Sequence, residues 1–291
     1  MMGWMTSGVP AIEVTGLSKA YGARPALRGV DFTVARGEVF GLLGPNGAGK
    51  TTTVEILEGY RKRDAGQVEV LGSDPAAADG AWRERIGVVL QSSAMYETLS
   101  VSEMLGVFAG YYRQPRPLDE VVGLVGLEDQ RETRVRRLSG GQRRRLDLGL
   151  ALVGDPELIF LDEPTTGFDP GARRRAWETI RGLRSLGKTI LLTTHYLDEA
   201  EQLADRVAVL RHGEIVASGP PAELTGTARQ TEIRYRENGR EVVLHTDEPT
   251  RLLHELTEQA LGRGQELEGL LVRRPTLEEV YLSLTEEAEA R

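Results

Sequence analysis

The feature that most constrains the fold is an apolar run, a glycine loop and a helix in immediate succession. "VFGLLG" ends at Gly44, "GPNGAGKT" spans 44–51, and "KTTTVEILEGY" follows from Lys50. The loop matches G-x-x-x-x-G-K-[ST], and its setting after a strand and before a helix is the context that gives the pattern meaning. Gly44, Gly47 and Gly49 let the backbone curl and turn its N–H groups inward, with Pro45, Asn46 and Ala48 between them. From this loop Lys50 reaches β and γ phosphates, the Thr51 hydroxyl is a ligand for Mg²⁺, and Thr52 continues the phosphate-facing turn. Such a unit requires an α/β fold in which a ligand sits at the carboxyl ends of the strands.

Lysine is rare. Only Lys19, Lys50, Lys62 and Lys188 occur, and arginine is the habitual cation. The arginine clusters at 136–137, 143–145 and 173–175 therefore read as coding bias on solvated helix faces. Lys50 is informative against that background, because a compact ammonium enters between phosphate oxygens as a planar guanidinium does not.

Two further motifs carry chemistry. "LSGGQRRR" at 138–145 opens a helix with Ser139 ahead of Gly140, Gly141 and Gln142, so it is a second helix start suited to a phosphate. "LIFLDEP" places Asp162 and Glu163 at the end of a buried strand. Asp162 is a candidate Mg²⁺ ligand through water. Glu163 is a candidate to orient or deprotonate an attacking water.

Along the chain, 1–10 reads as a loose tail and 11–40 as short alternating strands. Residues 81–150 read as mostly helical, with Pro115 and Pro117 marking a break. "ELIFLDEP" and "KTILLTTH" are apolar strands of a parallel sheet covered on both faces. The texture changes at "GPPAELTG", 219–226. Beyond it, 227–291 reads as a small α+β appendage: a hairpin turning at Asn238-Gly239, an amphipathic helix, a strand at "ELEGLLVRR" and a last helix, "PTLEEVYLSLTEEAEA".

The net charge of −8 argues against a dedicated nucleic-acid binder. No cysteine is present for a disulfide framework. No apolar run approaches the ~18 residues of a membrane helix. The start, "MMGWMTSGVP", is not a secretory signal.

The motifs together resemble the ATP-binding subunits of ABC transporters over about 11–224. They run in the order "GPNGAGKT", Gln91, "LSGGQ", "LIFLDEP", "FDP" at 168–170 and His195. The resemblance implies an α/β P-loop ATPase of ABC type. It would have an N-terminal antiparallel β subdomain, a helical subdomain at about 92–150, and the appendage as an accessory domain. It implies ATP and Mg²⁺ as ligands, Tyr21 stacking on adenine, and Gln91 touching Mg²⁺ or water at the start of the membrane-facing segment. It also implies His195 at the γ-phosphate and Asp169 signalling across a dimer. Phe168 departs from the family's usual leucine.

In that family two subunits meet head to tail, and Ser139–Gln142 of one caps the γ-phosphate held by the other. The resemblance implies a homodimer bound peripherally on the cytoplasmic face of the cell membrane. The partner the resemblance implies is an integral membrane permease, contacted through "SSAMYETLSVSEMLGVFAGYY". The tail resembles the multidrug and antibiotic exporter type, similar to daunorubicin-resistance ATP-binding proteins. Alternatives are the same motor exporting lipid, polysaccharide or peptide, and a soluble ABC ATPase of translation or DNA repair.

Overall fold

The computed structural model describes residues 9–90, 95–227, 231–237, 239–273 and 279. The chain divides into two compact units, Met1–Ser218 and Gly219–Arg291.

The first unit holds two sheets. Strands β1 (Ile12–Tyr21), β2 (Arg24–Val34) and β4 (Ala65–Val70) form an antiparallel sheet in the order β2-β1-β4. These strands are longer than their turn-rich sequence suggests, because Gly16 and Gly29 sit within them at φ 62° and 78° without ending them. The second sheet is six-stranded. It takes β3 (Val39–Leu43), β5 (Ile86–Val89), β6 (Leu158–Asp162), β7 (Thr189–Thr194), β8 (Arg206–Arg211) and β9 (Glu214–Gly219) in the order β5-β6-β7-β3-β8-β9. Neighbours from β5 to β8 pair in parallel. Every residue of β3 and β7 is buried, as expected for parallel strands covered on both faces.

Strand β5 corrects the helical reading of 81–90. Only α2 (Gly80–Arg83) is helical there. "IGVV" is a short apolar run, which periodicity cannot assign by itself.

The connecting helices of this unit are α1 (Lys50–Leu57), α3 (Val101–Ala109), α4 (Leu118–Leu124), α5 (Gly140–Leu152), α6 (Pro170–Ser185) and α7 (Leu197–Leu203). Helix α5 starts with a reciprocal cap. The Ser139 hydroxyl accepts from Gln142 N at 3.3 Å, and Ser139 N donates to Gln142 Oε1 at 2.8 Å. Leu146 on α5 packs with Met104 and Leu105 of α3 and Val121 of α4 in one buried cluster that continues to Ile159 and Leu161 of β6.

Register puts the functional strand ends abreast. Asp162 pairs with Thr193, and Leu43 pairs with Thr194. The loops leaving β3, β6 and β7 therefore open side by side on one edge.

The second unit contains α8 (Pro221–Thr227), β10 (Thr231–Glu237), β11 (Arg240–Thr246), α9 (Pro249–Gly262) and β12 (Glu268–Arg273). The sheet order is β11-β10-β12, both pairs antiparallel, with Ile233 and Tyr235 of the central strand buried. Asn238 and the expected closing helix lie outside the described residues, save Glu279.

Candidate functional site: the strand-end cluster and the serine-capped helix

The phosphate loop leaves β3 and enters α1 through Gly49 at φ 113°, a conformation L side chains avoid. A Cβ at Gly49 would also lie 2.7 Å from Ala26 O. Ala48 is buried, while Pro45, Asn46, Gly47 and Thr51 are exposed. The first intrahelical donor is Thr53 N, to Gly49 O at 2.9 Å. The amides of Lys50, Thr51 and Thr52 thus precede the helical ladder.

Lys50 is 6% exposed, and its Nζ donates to Gly44 O at 2.7 Å and Pro45 O at 3.3 Å. An ammonium has three donors, so one more is available to an anion. Burial lowers the Lys50 pKa, opposed by the Glu163 and Asp162 carboxylates.

Glu163 follows β6 at φ 46°. A non-glycine residue in the left-handed region costs ~1–3 kcal/mol and persists only where its surroundings hold it. Glu163 N donates to Thr193 O and to Thr193 Oγ1, each at 3.1 Å. Its Oε1 lies 3.3 Å from His195 Nδ1 and 3.9 Å from Lys50 Nζ, and its Oε2 accepts from Thr166 Oγ1 at 3.2 Å. Beside it, the Thr193 hydroxyl donates to Asp162 Oδ1. The structure therefore brings Lys50, Asp162, Glu163 and His195 together from three adjacent strand ends.

Tyr21 is half-exposed and its hydroxyl is 3.5 Å from Thr52 Oγ1. The Arg61 guanidinium lies 5.2 Å from its ring centroid. Ser139, Gly140, Gly141 and Gln142 line a cleft of about 1020 Å³ together with Glu163, Gly167 and Asp169. Ser139 and Gly140 are exposed. Asp169 caps α6, its Oδ1 accepting from Ala172 N and Gly171 N at 2.9 Å. Those backbone hydrogen bonds, Ala172's foremost, hold its carboxyl below the usual range. Gln91 lies outside the described residues.

Three residues that pattern reading passed over shape the site. Glu199 on α7 is fully buried. It accepts from Thr165 Oγ1 at 2.8 Å and Trp177 Nε1 at 3.1 Å, joining the loop after β6 to α6. Burial pushes its pKa up, against hydrogen bonds from Thr194, Thr165 and Trp177. Arg144 corrects the reading of 143–145 as a solvated face: its guanidinium is turned inward onto backbone carbonyls. No periodic signal marks either residue.

The third is Glu58, on an apolar groove of about 720 Å³ that also takes in Tyr60, Leu90, Phe108 and Tyr112. Its Oε1 is buried without a hydrogen-bond partner. Burial, then the Asp162 and Glu55 carboxylates, push the pKa from 4.5 to about 8. Between those values the folded chain holds a proton that the unfolded chain has lost. Stability therefore falls as pH rises through that window. Glu58→Gln should gain Tm relative to the parent as pH increases from 4.5 to 8. A Tm difference that stays flat across the window would show that Glu58 titrates normally.

Comparison with known proteins bears on the family and the fold. The family model described as ABC transporter matches residues 27–166. Nod factor export ATP-binding protein I of Rhizobium sp. (strain N33) is 40% identical over 300 residues, covering 94% of this chain and 97% of the relative. A daunorubicin resistance ATP-binding protein of Streptomyces coeruleorubidus is 41% identical over 303 residues, covering 94% and 96%. The solved structure of an ATP binding subunit of an ABC transporter superposes with a TM-score of 0.70 at 26% identity, covering 94% of this chain and 99% of that one. A component of an ABC transporter complex from Clostridium perfringens gives a TM-score of 0.70 at 27% identity, covering 76% and 92%. The chain belongs to the ABC transporter family, as an ATP-binding subunit and an ATPase.

Proposed function

We propose that this ATPase drives export of a drug or antibiotic-like compound through a separate membrane permease, by ATP-dependent head-to-tail pairing of two copies. The observation that carries the hydrolytic part is the convergence of Lys50, Glu163 and His195, with Glu163 Oε1 3.9 Å from Lys50 Nζ and 3.3 Å from His195 Nδ1. Lys50 and the loop amides hold the phosphates. Glu163 takes the proton of the attacking water, and His195 holds Glu163 and contacts the γ-phosphate. Tyr21 stacks on adenine.

Thr51 and Asp162, with Gln91, serve Mg²⁺. Among the described residues no group of three or more His, Cys, Asp or Glu could hold a metal ion. The donor set suits Mg²⁺ by its chemistry, one hydroxyl and one carboxylate, because that ion keeps waters and uses one or two carboxylates plus substrate phosphates.

Ser139 to Gln142 cap the phosphate of the second copy. Support comes from the exposed, reciprocally capped start of α5. Such a helix start carries about +0.5 charge and accepts close approach where glycines replace side chains. Asp169, at the start of α6, relays the pairing.

The permease reading rests on the apolar groove at Tyr60, Leu90 and Phe108 and on the exposed Tyr96 and Tyr111 of the segment after Gln91. Among the described residues no helix is long and apolar enough to cross a membrane; in this reading the chain sits on the cytoplasmic face of the membrane and the permease supplies the channel. The second unit is a docking or dimer-stabilising module. The daunorubicin-resistance relative favours a drug-like cargo, and the Nod factor export relative supports a second reading in which the same motor moves a different compound.

The test is co-expression with a candidate membrane permease, chosen from neighbouring genes where one is encoded there, then ATPase assays of the purified complex against candidate compounds. Co-purification and stimulation by an exported compound are expected. Stimulation by ribosomes or DNA instead, with no membrane partner retained, would reject the transport reading.

A further inference from the structure

One guanidinium joins the capped helix to the peptide that carries Glu163. Arg144 lies in the second turn of α5, and its side chain is 13% exposed. Its Nη2 donates to Asp162 O at 2.8 Å and to Glu163 O at 3.4 Å. Its Nε donates to Pro164 O at 3.2 Å, and its Nη1 donates to Leu90 O. Burial lowers its pKa, opposed by the Asp147, Asp162 and Glu199 carboxylates. The neighbouring arginines also meet backbone carbonyls, but not those around Glu163: Arg143 reaches Glu97 and Arg136 O, and Arg145 reaches Val125 O and Gly126 O.

Three successive carbonyls, at 162, 163 and 164, thus converge on one planar fork. That fork is the only side-chain cation geometry that spans several acceptors rigidly. The middle carbonyl belongs to a residue at φ 46°. A left-handed glutamate needs its backbone held, and Arg144 holds the carbonyl side of that peptide run while Thr193 holds the amide side. The other end of the lever is α5, a 13-residue helix whose first turn begins beside Ser139. Displacing α5 therefore displaces the support of Glu163.

We propose that Arg144 is a positioning residue for hydrolysis: it fixes the left-handed Glu163 backbone that aims the carboxylate at His195, and it makes that aim depend on the placement of α5. The inference rests on the reading of Glu163 as the base. It deepens that reading by naming how pairing would regulate it. When a second copy's phosphate fixes the start of α5, Arg144 fixes Glu163 within the first copy, so the two hydrolysis sites become cooperative.

The test compares Arg144→Gln, Arg144→Lys and Glu163→Gln in the full chain. It measures ATP turnover, the Hill coefficient for ATP, affinity for a fluorescent ATP analogue, and Tm. Misplacing a catalytic group by about 1 Å costs on the order of 10²-fold, and that is the expected fall in kcat for Arg144→Gln, with analogue affinity unchanged and cooperativity lost. Arg144→Lys keeps the charge but not the fork, and should fall between that variant and the parent.

Parent-level kcat in Arg144→Gln beside an inactive Glu163→Gln overturns the inference and leaves the base intact. Full activity in Glu163→Gln overturns the underlying reading itself. If Arg144→Gln does not fold, Arg144→Lys decides: a kcat loss at unchanged affinity supports positioning. Equal losses of kcat and affinity in either variant would make Arg144 a packing staple and reject the proposal.

Discussion

Glu163→Gln is expected to cut ATP turnover by ~10²–10⁴-fold, the range assigned to a well-placed general base, while ATP still binds. Glutamine keeps the length and the Oε1 acceptor, so the approach of His195 Nδ1 at 3.3 Å survives. It removes the one property at issue, the capacity to take a proton. It also removes a negative charge 3.9 Å from Lys50 Nζ, which strengthens the hold of that ammonium on phosphate. Slower cleavage and undiminished binding together predict that ATP-bound pairs accumulate. Size-exclusion chromatography with and without ATP should show the variant shifting to the two-copy form while the parent returns to one copy as ATP is consumed. Turnover at the parent rate would remove Glu163 from the reaction and leave another group to activate the water.

What could be read in advance follows from how local each signal is. The loop at 44–51 was legible because glycine conformations, a rare lysine and a flanking apolar strand are all encoded within a dozen residues. The parallel strands β3, β6 and β7 were legible because burial on both faces forces continuous apolar runs. Strand β5 was not. Its four residues sit among arginines and glutamates that suit a helix, and its strand identity comes only from pairing with β6 far along the chain.

Arg144 was misread for the same reason. A run of three arginines looks solvated, and nothing local reveals that the middle one meets carbonyls 18 to 20 residues away. The Glu163–His195 approach depends on the β6–β7 register, which no motif states. Glu58 and Glu199 are ordinary helix carboxylates in sequence. Their raised pKa values come from tertiary burial.

Lys50→Ala should abolish tight ATP binding, and two effects add in the same direction. The first is the lost charge-assisted hydrogen bond to phosphate, about 1.5–3 kcal/mol or roughly 10- to 10²-fold in affinity. The second is electrostatic. Lys50 is the cation facing Glu163, and it is also coupled to Asp162. With alanine in its place, those carboxylates present uncompensated negative charge to a polyanionic ligand. The sum should exceed the loss of one hydrogen bond, so affinity is expected to fall by on the order of 10²-fold or more. Lys50→Arg would not restore it, because Lys50 is buried and its Nζ sits between the carbonyls of Gly44 and Pro45, where a planar fork has no room to turn. Equilibrium titration with ATP, at a pH where both variants keep the parent Tm, separates this from unfolding. Parent affinity in Lys50→Ala would mean that the loop amides alone hold the phosphates, and that the buried ammonium serves only to neutralise Glu163 and Asp162.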